Sequence, residues 1–217
     1  MVDVNSTIME STLPDVHHRL AERLRRLRAA RGLTLDGLAD RAGVSRSMIS
    51  LVERGESSPT AAVLDRLAAG LGVTLASLFA DEARAGASPV VRRDDQPVWR
   101  DPATGYVRRN LSPPGFPSPI ELVEVVLPPG ARVAYDVPGA GRAVGVSEQV
   151  WVLDGRLDLT VGDVTHELDA GDCLALRLDR PTAFRNPTAG PARYVVALAA
   201  DAAPAALGGP HPRGSTP

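Results

Sequence analysis

No lysine occurs in these 217 residues: apart from four histidines, every basic side chain is arginine, as GC-rich coding produces. The single cysteine, Cys173, excludes an intrachain disulfide and any zinc site built from cysteines. Aromatic residues make up only 4%, so the cores must be built mainly from Leu, Val and Ala. No segment is apolar for the length a membrane span requires, and Met1 to Ser11 has neither the basic start nor the apolar run of a secretory signal. The expectation is a cytoplasmic protein with no membrane partner. A large charge of one sign is missing too, since the net charge is -2. Its distribution is uneven. Between Pro14 and Ala80 ten arginines stand against seven acids, a local +3 that leaves -5 on the remainder. A basic front half suits a DNA reader joined to a different kind of domain.

What is present begins with TLDGLADRAGVSRSMISLVER at 34–54. Thr34 is placed to cap a helix ending near Ala42, and Ser45 to cap another that stops at Arg54-Gly55. Ala39, Gly43 and Ile49 have the spacing of a helix-turn-helix. A small residue admits the neighbouring helix, glycine makes the turn, and an apolar residue packs back. An ordinary pair of bundle helices needs apolar periodicity but not this Ala-x3-Gly-x5-Ile spacing. Leucines at 20, 24 and 27 predict a preceding helix between Val16 and Arg31. Pro59-Thr60 opens a fourth bearing Leu64, Leu67, Ala68 and Leu71, and Thr74 to Phe79 is read as a short fifth.

In such a motif the start of the second helix enters the major groove. Ser45, Arg46, Ser47 and Ser50 then lie near base edges or flanking phosphates, with Leu51 beside a thymine methyl. Arg46 is the expected direct reader, because its fork matches two acceptors on guanine. Thr34 and Arg54 fall where backbone phosphates are expected.

After Ala80 the texture changes. Residues 81–89 read as a linker, and the chain from 201 to its end as a disordered tail. IELVEVVL (120–127), EQVWVLDGRLDLTV (148–161) and ARYVVALA (192–199) are strand-like, and Asp154-Gly155 reads as a hairpin turn. Short strands with closely spaced turns indicate a sandwich or barrel.

The run from Leu24 to Phe79 resembles the DNA-binding domain of XRE-type, phage-repressor-like regulators. That resemblance implies a five-helix bundle over 14–80 and an inner pair between Arg28 and Glu53, which makes Glu53 part of the scaffold. Leu35 departs from it, standing where many members have a phosphate-bracing Gln. Residues 90–200 resemble a cupin barrel, through PPG at 128–130, SEQVWVLDGRLDLTVGD at 147–163, LDAGDCLAL at 168–176 and DRPTAFRNP at 179–187. Together they resemble regulators that join an XRE-type domain to a cupin sensor. The fold class expected is therefore an α-helical bundle followed by an all-β barrel.

Metal-holding cupins carry H-x-H, a glutamate and a later histidine. Mapped here, Glu148 matches the glutamate, while Arg142 and Val144 (or Gly141 and Ala143) and Thr182 replace the histidines. One carboxylate cannot hold a transition metal, so no metal and no cofactor is expected. His166 reads as a surface histidine. A barrel interior still suits a small ligand. Glu148 and Val150 face it by strand alternation, with Trp151 pointing outward. Tyr106, Arg108, Arg142 and Phe184 complete the candidate lining, with Arg142 suited to an anion. The expected function is a sequence-specific regulator with a double-stranded DNA operator, a small-molecule effector and a homodimeric cupin half. The alternatives are a metal-dependent cupin enzyme with a regulatory front end, and an antitoxin-like module binding DNA and a protein.

Overall fold

The computed structural model describes residues 4–79, 86–136 and 145–200. Four α-helices come first: α1 Val4–Ala30, α2 Leu35–Ala42, α3 Arg46–Glu53 and α4 Ala61–Leu71. Each of the last three is capped by a hydroxyl. Thr34 accepts from the Gly37 N–H, Ser45 from Met48 and Thr60 from Val63. Gly43 and Gly72 close α2 and α4 with φ of 63° and 67°, the left-handed conformation that favours glycine. The expected fifth helix is instead a single 3-10 turn, Ala76–Leu78. Thr74 accepts from the Ser77 N–H there, and the segment is too short for i to i+4 bonding to propagate. The first helix starts at Val4, well before the leucine periodicity that marks it.

Leu24, Leu38, Ile49, Leu64 and Leu67 are fully buried and hold the bundle together. Glycine at position 70 allows the close approach of α4 to α2. A Cβ added there would lie 3.0 Å from the Ala42 Cβ and 3.1 Å from its backbone nitrogen.

Among the described residues ten strands follow: β1 Val98–Arg100, β2 Val107–Asn110, β3 Ile120–Leu127, β4 Arg132–Tyr135, β5 Val146–Asp154, β6 Arg156–Val161, β7 Val164–Asp169, β8 Cys173–Arg177, β9 Thr182–Arg185 and β10 Ala192–Ala200. They form a six-stranded sheet, β1-β2-β3-β10-β5-β8, facing a four-stranded one, β4-β9-β6-β7. Asp154-Gly155 is not a hairpin turn. β5 pairs with β10 and β8, whereas β6 pairs with β7 and β9, so the turn carries the chain from one sheet to the other. Gly155 has φ of 77°, and a Cβ there would meet the Pro191 carbonyl at 2.7 Å, so this corner is closed to side chains. The tight hairpin lies one strand later, at Gly162-Asp163, where Val161 pairs with Val164.

One cluster of buried apolar side chains runs without a break from the bundle into the sandwich. Polar contacts reinforce that junction. The Ala61 N–H donates to Asp101 Oδ1 at 2.8 Å, Arg66 donates to Asp136 at 2.7 Å, and Thr74 donates to Glu121 at 3.2 Å. The expected linker lies largely outside the described residues, and the expected disordered tail entirely so.

Candidate functional site

The helix-turn-helix is built on the bundle core and held from inside by an ion pair. Arg28 Nε and Nη2 donate to the two oxygens of Glu53, each at 2.7 Å, while Arg28 Nη1 donates to the Leu33 carbonyl at 2.9 Å. Hydrogen bonding to Glu53 raises the Arg28 guanidinium further above its ordinary value. Glu53 is thereby occupied inward, and α3 turns its other face to solvent. On that face Ser45, Arg46 and Ser47 are exposed, with Ser50 and Leu51 half-buried. Arg46 stands in the first turn, its Nε 3.3 Å from Asp36 Oδ1. Arg54 pairs with both oxygens of Glu56 at 2.8 Å and also bonds Ser50 Oγ. Leu35 packs on the core, and Thr34 offers its exposed edge beside the capped N-terminus of α2.

The second site is a cavity of about 70 Å³ between the sheets. It is several times the roughly 10–15 Å³ that one water needs. Arg108 enters from β2, Glu148 from β5, Tyr194 from β10, and Tyr135, Thr182 and Phe184 from the opposite sheet. Strand alternation explains the placing. Arg108 is directly opposite Val125, which is opposite Tyr194, so all three share the inward face. The same rule sends Glu148, Val150 and Val152 inward and leaves Trp151 outside at 51% exposure. The bundle completes the wall with Asp65, Leu75 and Ala76.

Six of the protein's eight aromatic residues form one packed run through this region. Phe79, at the end of the bundle, lies 5.7 Å from Trp99, which lies 5.7 Å from Tyr106. The Tyr106 hydroxyl is 3.4 Å from that of Tyr135. Tyr135 meets Phe184 edge-on at 6.0 Å, and Phe184 stacks on Tyr194 at 5.7 Å. The Arg108 guanidinium sits 5.3 Å from the Phe79 ring centre, a cation–π contact linking the cavity wall to the bundle.

Comparison with known proteins agrees with both halves. Residues 24–78 match the helix-turn-helix family and residues 124–198 the cupin domain family. The chain is 31% identical over 167 residues to the HTH-type transcriptional regulator SutR of Escherichia coli strain K12, covering 77% of this chain and 86% of that protein. This chain belongs to the helix-turn-helix transcriptional regulators that carry a cupin domain. The regulator is also 25% identical over 177 residues to the HTH-type transcriptional regulator PuuR of the same organism, covering 81% and 92% of the two chains. A crystal structure of an HTH_3 family transcriptional regulator from Vibrio cholerae superposes with a TM-score of 0.65 at 27% identity, covering 86% of this chain and 97% of that one.

Of the cavity residues expected from the regulator's sequence, Tyr106, Arg108, Glu148 and Phe184 line the space together. Val150 is buried in the same face without lining it, and Arg142 lies outside the described residues. Among the described residues no three His, Cys, Asp or Glu side chains converge as a metal site would need, and no helix is long and apolar enough to cross a membrane. His166 is half-buried on β7, and Cys173 is exposed at the start of β8.

Sequence reasoning missed Tyr135 and Tyr194. Their signal was available in the alternation Val133-Tyr135 and Tyr194-Val196-Leu198. It also missed Asp65 and Ala76, which reach the cavity only through the packing of bundle on barrel.

The regulator's three tyrosines all line the cavity, so they act as a built-in reporter of its integrity. Burial pushes the Tyr106 phenol above its ordinary value and those of Tyr135 and Tyr194 well above. Each is therefore a neutral O–H group in the folded protein. Because the folded values exceed the unfolded one, the resulting stability is complete below about pH 10 and is lost as pH rises through the folded values. In a spectrophotometric titration the folded protein should show little tyrosinate absorbance at about pH 10, where free tyrosine is half ionised. Absorbance should appear at higher pH together with loss of ellipticity. Ordinary titration of all three phenols in the folded protein would contradict the buried arrangement.

Proposed function

We propose that the protein is a sequence-specific DNA-binding regulator, not an enzyme, whose barrel cavity takes a small molecule and reports its presence to the DNA-reading bundle. The observation that carries this reading is the shared wall. Asp65, Leu75 and Ala76 of the bundle and Arg108, Glu148 and Tyr194 of the barrel enclose one space. A ligand filling that space contacts both halves at once, so it favours whichever arrangement of the two it fits best. Arg108 extends this link by resting on Phe79 at the end of the bundle. The residue types at the metal-ligand positions of the barrel do not form a transition-metal donor set, which supports the non-enzymatic reading.

In this reading Arg46, with Ser45, Ser47, Ser50 and Leu51, meets base edges and flanking phosphates, while Thr34 and Arg54 fix register on the backbone. The domains divide as 14–80 for DNA, 81–89 for the linker and 90–200 for the sensor, in a cytoplasmic protein. We assign dimerisation to the barrel. Trp151, Ile120 and Leu122 are 51%, 49% and 38% exposed, and all three lie on the outer face of the six-stranded sheet, an apolar strip that a second copy would cover. A two-fold dimer places two α3 helices about 34–36 Å apart on a near-palindromic site.

The test is titration of the full-length protein onto DNA from upstream of its own gene, followed by anisotropy over a range of salt. Saturable binding whose logarithmic affinity falls linearly with the logarithm of salt is expected. Absence of salt-sensitive preference for that DNA over a scrambled fragment would sink the proposal.

A further inference from the structure

We propose that the cavity is a receptor for a compact monocarboxylate, with Arg108 as the residue that takes the carboxylate. The proposal rests on the sensor reading above and specifies its ligand.

Arg108 is only 6% exposed, and its Nε and Nη2 are buried with no hydrogen-bond partner. Desolvated guanidinium N–H groups left in that state are costly, so their retention points to a partner that arrives from outside. The two unpartnered nitrogens are the pair that forms one edge of the guanidinium. This chain uses that same edge for carboxylates elsewhere. Arg28 binds Glu53 through Nε and Nη2, and Arg54 binds Glu56 in the same way. Two parallel N–H donors match the two oxygens of a planar carboxylate. Phe79, packed on the guanidinium at 5.3 Å, restrains it, so little side-chain freedom is left to lose on binding.

The rest of the wall limits what the carboxylate is attached to. Asp65 and Glu148 are both buried at 7% and 6% exposure and line the same cavity. Arg108 is the one buried cation among the described lining residues, so a second anionic group or a phosphate dianion would enter a wall that already holds two carboxylates and is disfavoured. The exposed charges at the edge are already engaged, Asp136 by Arg66 and Arg180 by Asp179. Between the charged groups the wall is apolar and aromatic, with Val125, Val133, Val196 and Leu198 beside Phe184. Neutral tyrosine hydroxyls add donors and no charge. A single carboxylate on a short apolar body fits both conditions.

The experiment uses the full-length protein and four probes: butyrate, butyramide, succinate and inorganic phosphate. Binding is read by saturation-transfer NMR and thermal shift. Butyrate should bind saturably and the other three at least about tenfold more weakly, since each loses the charge-assisted pair or adds a repelled charge. Arg108→Gln should erase the preference for butyrate over butyramide. Arg108→Lys, which keeps the charge without the two-donor edge, should retain only part of it. Suppressed tyrosinate absorbance at about pH 10 shows that each variant keeps its cavity. If Arg108→Gln does not, Arg108→Lys, read beside the wild-type comparison of butyrate with butyramide, carries the test. Equal binding of butyrate and butyramide, tighter binding of succinate or phosphate, or full preference in Arg108→Gln would each overturn the proposal. DNA binding by the same wild-type preparation, measured without additives, separates the two readings. If it persists while the butyrate preference is absent, only the ligand assignment fails. If it is absent, the regulator reading fails.

Discussion

Replacing Arg46 with alanine is expected to abolish most of the protein's preference for its operator over unrelated DNA while leaving the fold unchanged. The expected loss is about 1–3 kcal/mol of discrimination, or roughly 5- to 150-fold. Two structural facts separate this effect from unfolding. The helix cap belongs to Ser45, not Arg46, and the Arg46 side chain is 65% exposed, paired with the exposed carboxylate of Asp36. That ion pair must open before the fork reaches a base, but an exposed pair of this kind is worth no more than about 1 kcal/mol and offers little resistance. Arg46→Lys is the informative companion. A lysine keeps the charge and hence most phosphate-driven affinity, but it cannot present two parallel donors to guanine. Competition between operator and scrambled DNA at fixed salt should therefore show alanine and lysine alike in lost choice and unlike in residual affinity. Wild-type discrimination in the alanine variant would move the reading surface away from the start of α3.

The DNA-reading half was legible because its signals are local. Thr34, Ser45 and Thr60 cap the helices that follow them, and Gly43 and Gly72 occupy the left-handed positions that end two of them. Such features depend on three or four neighbouring residues, so a single sequence contains them. The inward face of β5 was legible for the same reason, since Glu148, Val150 and Val152 obey a two-residue period.

Two misreadings show where local reasoning stops. Asp154-Gly155 has the composition of a hairpin turn, yet the strands on either side join different sheets. What decides this is the approach of Pro191, a residue 36 positions on, to the place where a side chain would sit. The segment 74–79 has helical texture but too little length, and it closes as one 3-10 turn against the barrel. The cavity was half legible. Period-two alternation supplies its barrel wall, but no sequence pattern says that α4 and the turn after it supply the remainder. The scarcity of aromatic residues held the larger clue. With so few available, packing six of them in one run from Phe79 to Tyr194 ties the bundle to the cavity far more specifically than aliphatic burial would.

Asp101 is a buried polar anchor of that junction, and its replacement by alanine is expected to free the first turn of α4 from the barrel. Its carboxylate is 2% exposed and fully used. Oδ1 accepts from the Ala61 N–H at 2.8 Å, while Oδ2 accepts from the Thr104 N–H at 2.8 Å and the Thr104 hydroxyl at 2.6 Å. Ala61 begins α4, where a backbone N–H has no partner within the helix, and a negative charge beside that N-terminus also favours the helix dipole. Alanine removes three charge-assisted bonds and strands two backbone donors, so a loss of about 3 kcal/mol at this contact is expected. Hydrogen exchange should then quicken about 100-fold at Ala61 and the residues after it, provided local opening governs their exchange. Asparagine tests the cause. Its amide can still accept from one side, but its NH₂ group then faces the Thr104 N–H, donor against donor, so Asp101→Asn should recover only part of the protection. The recognition helix lies elsewhere in the bundle, and its Arg28–Glu53 anchor is untouched. Both variants should therefore bind operator DNA, while any effect of a cavity ligand on that binding weakens in step with the exchange rate. Unchanged protection at Ala61 in the alanine variant would show that the apolar cluster alone holds bundle and barrel together.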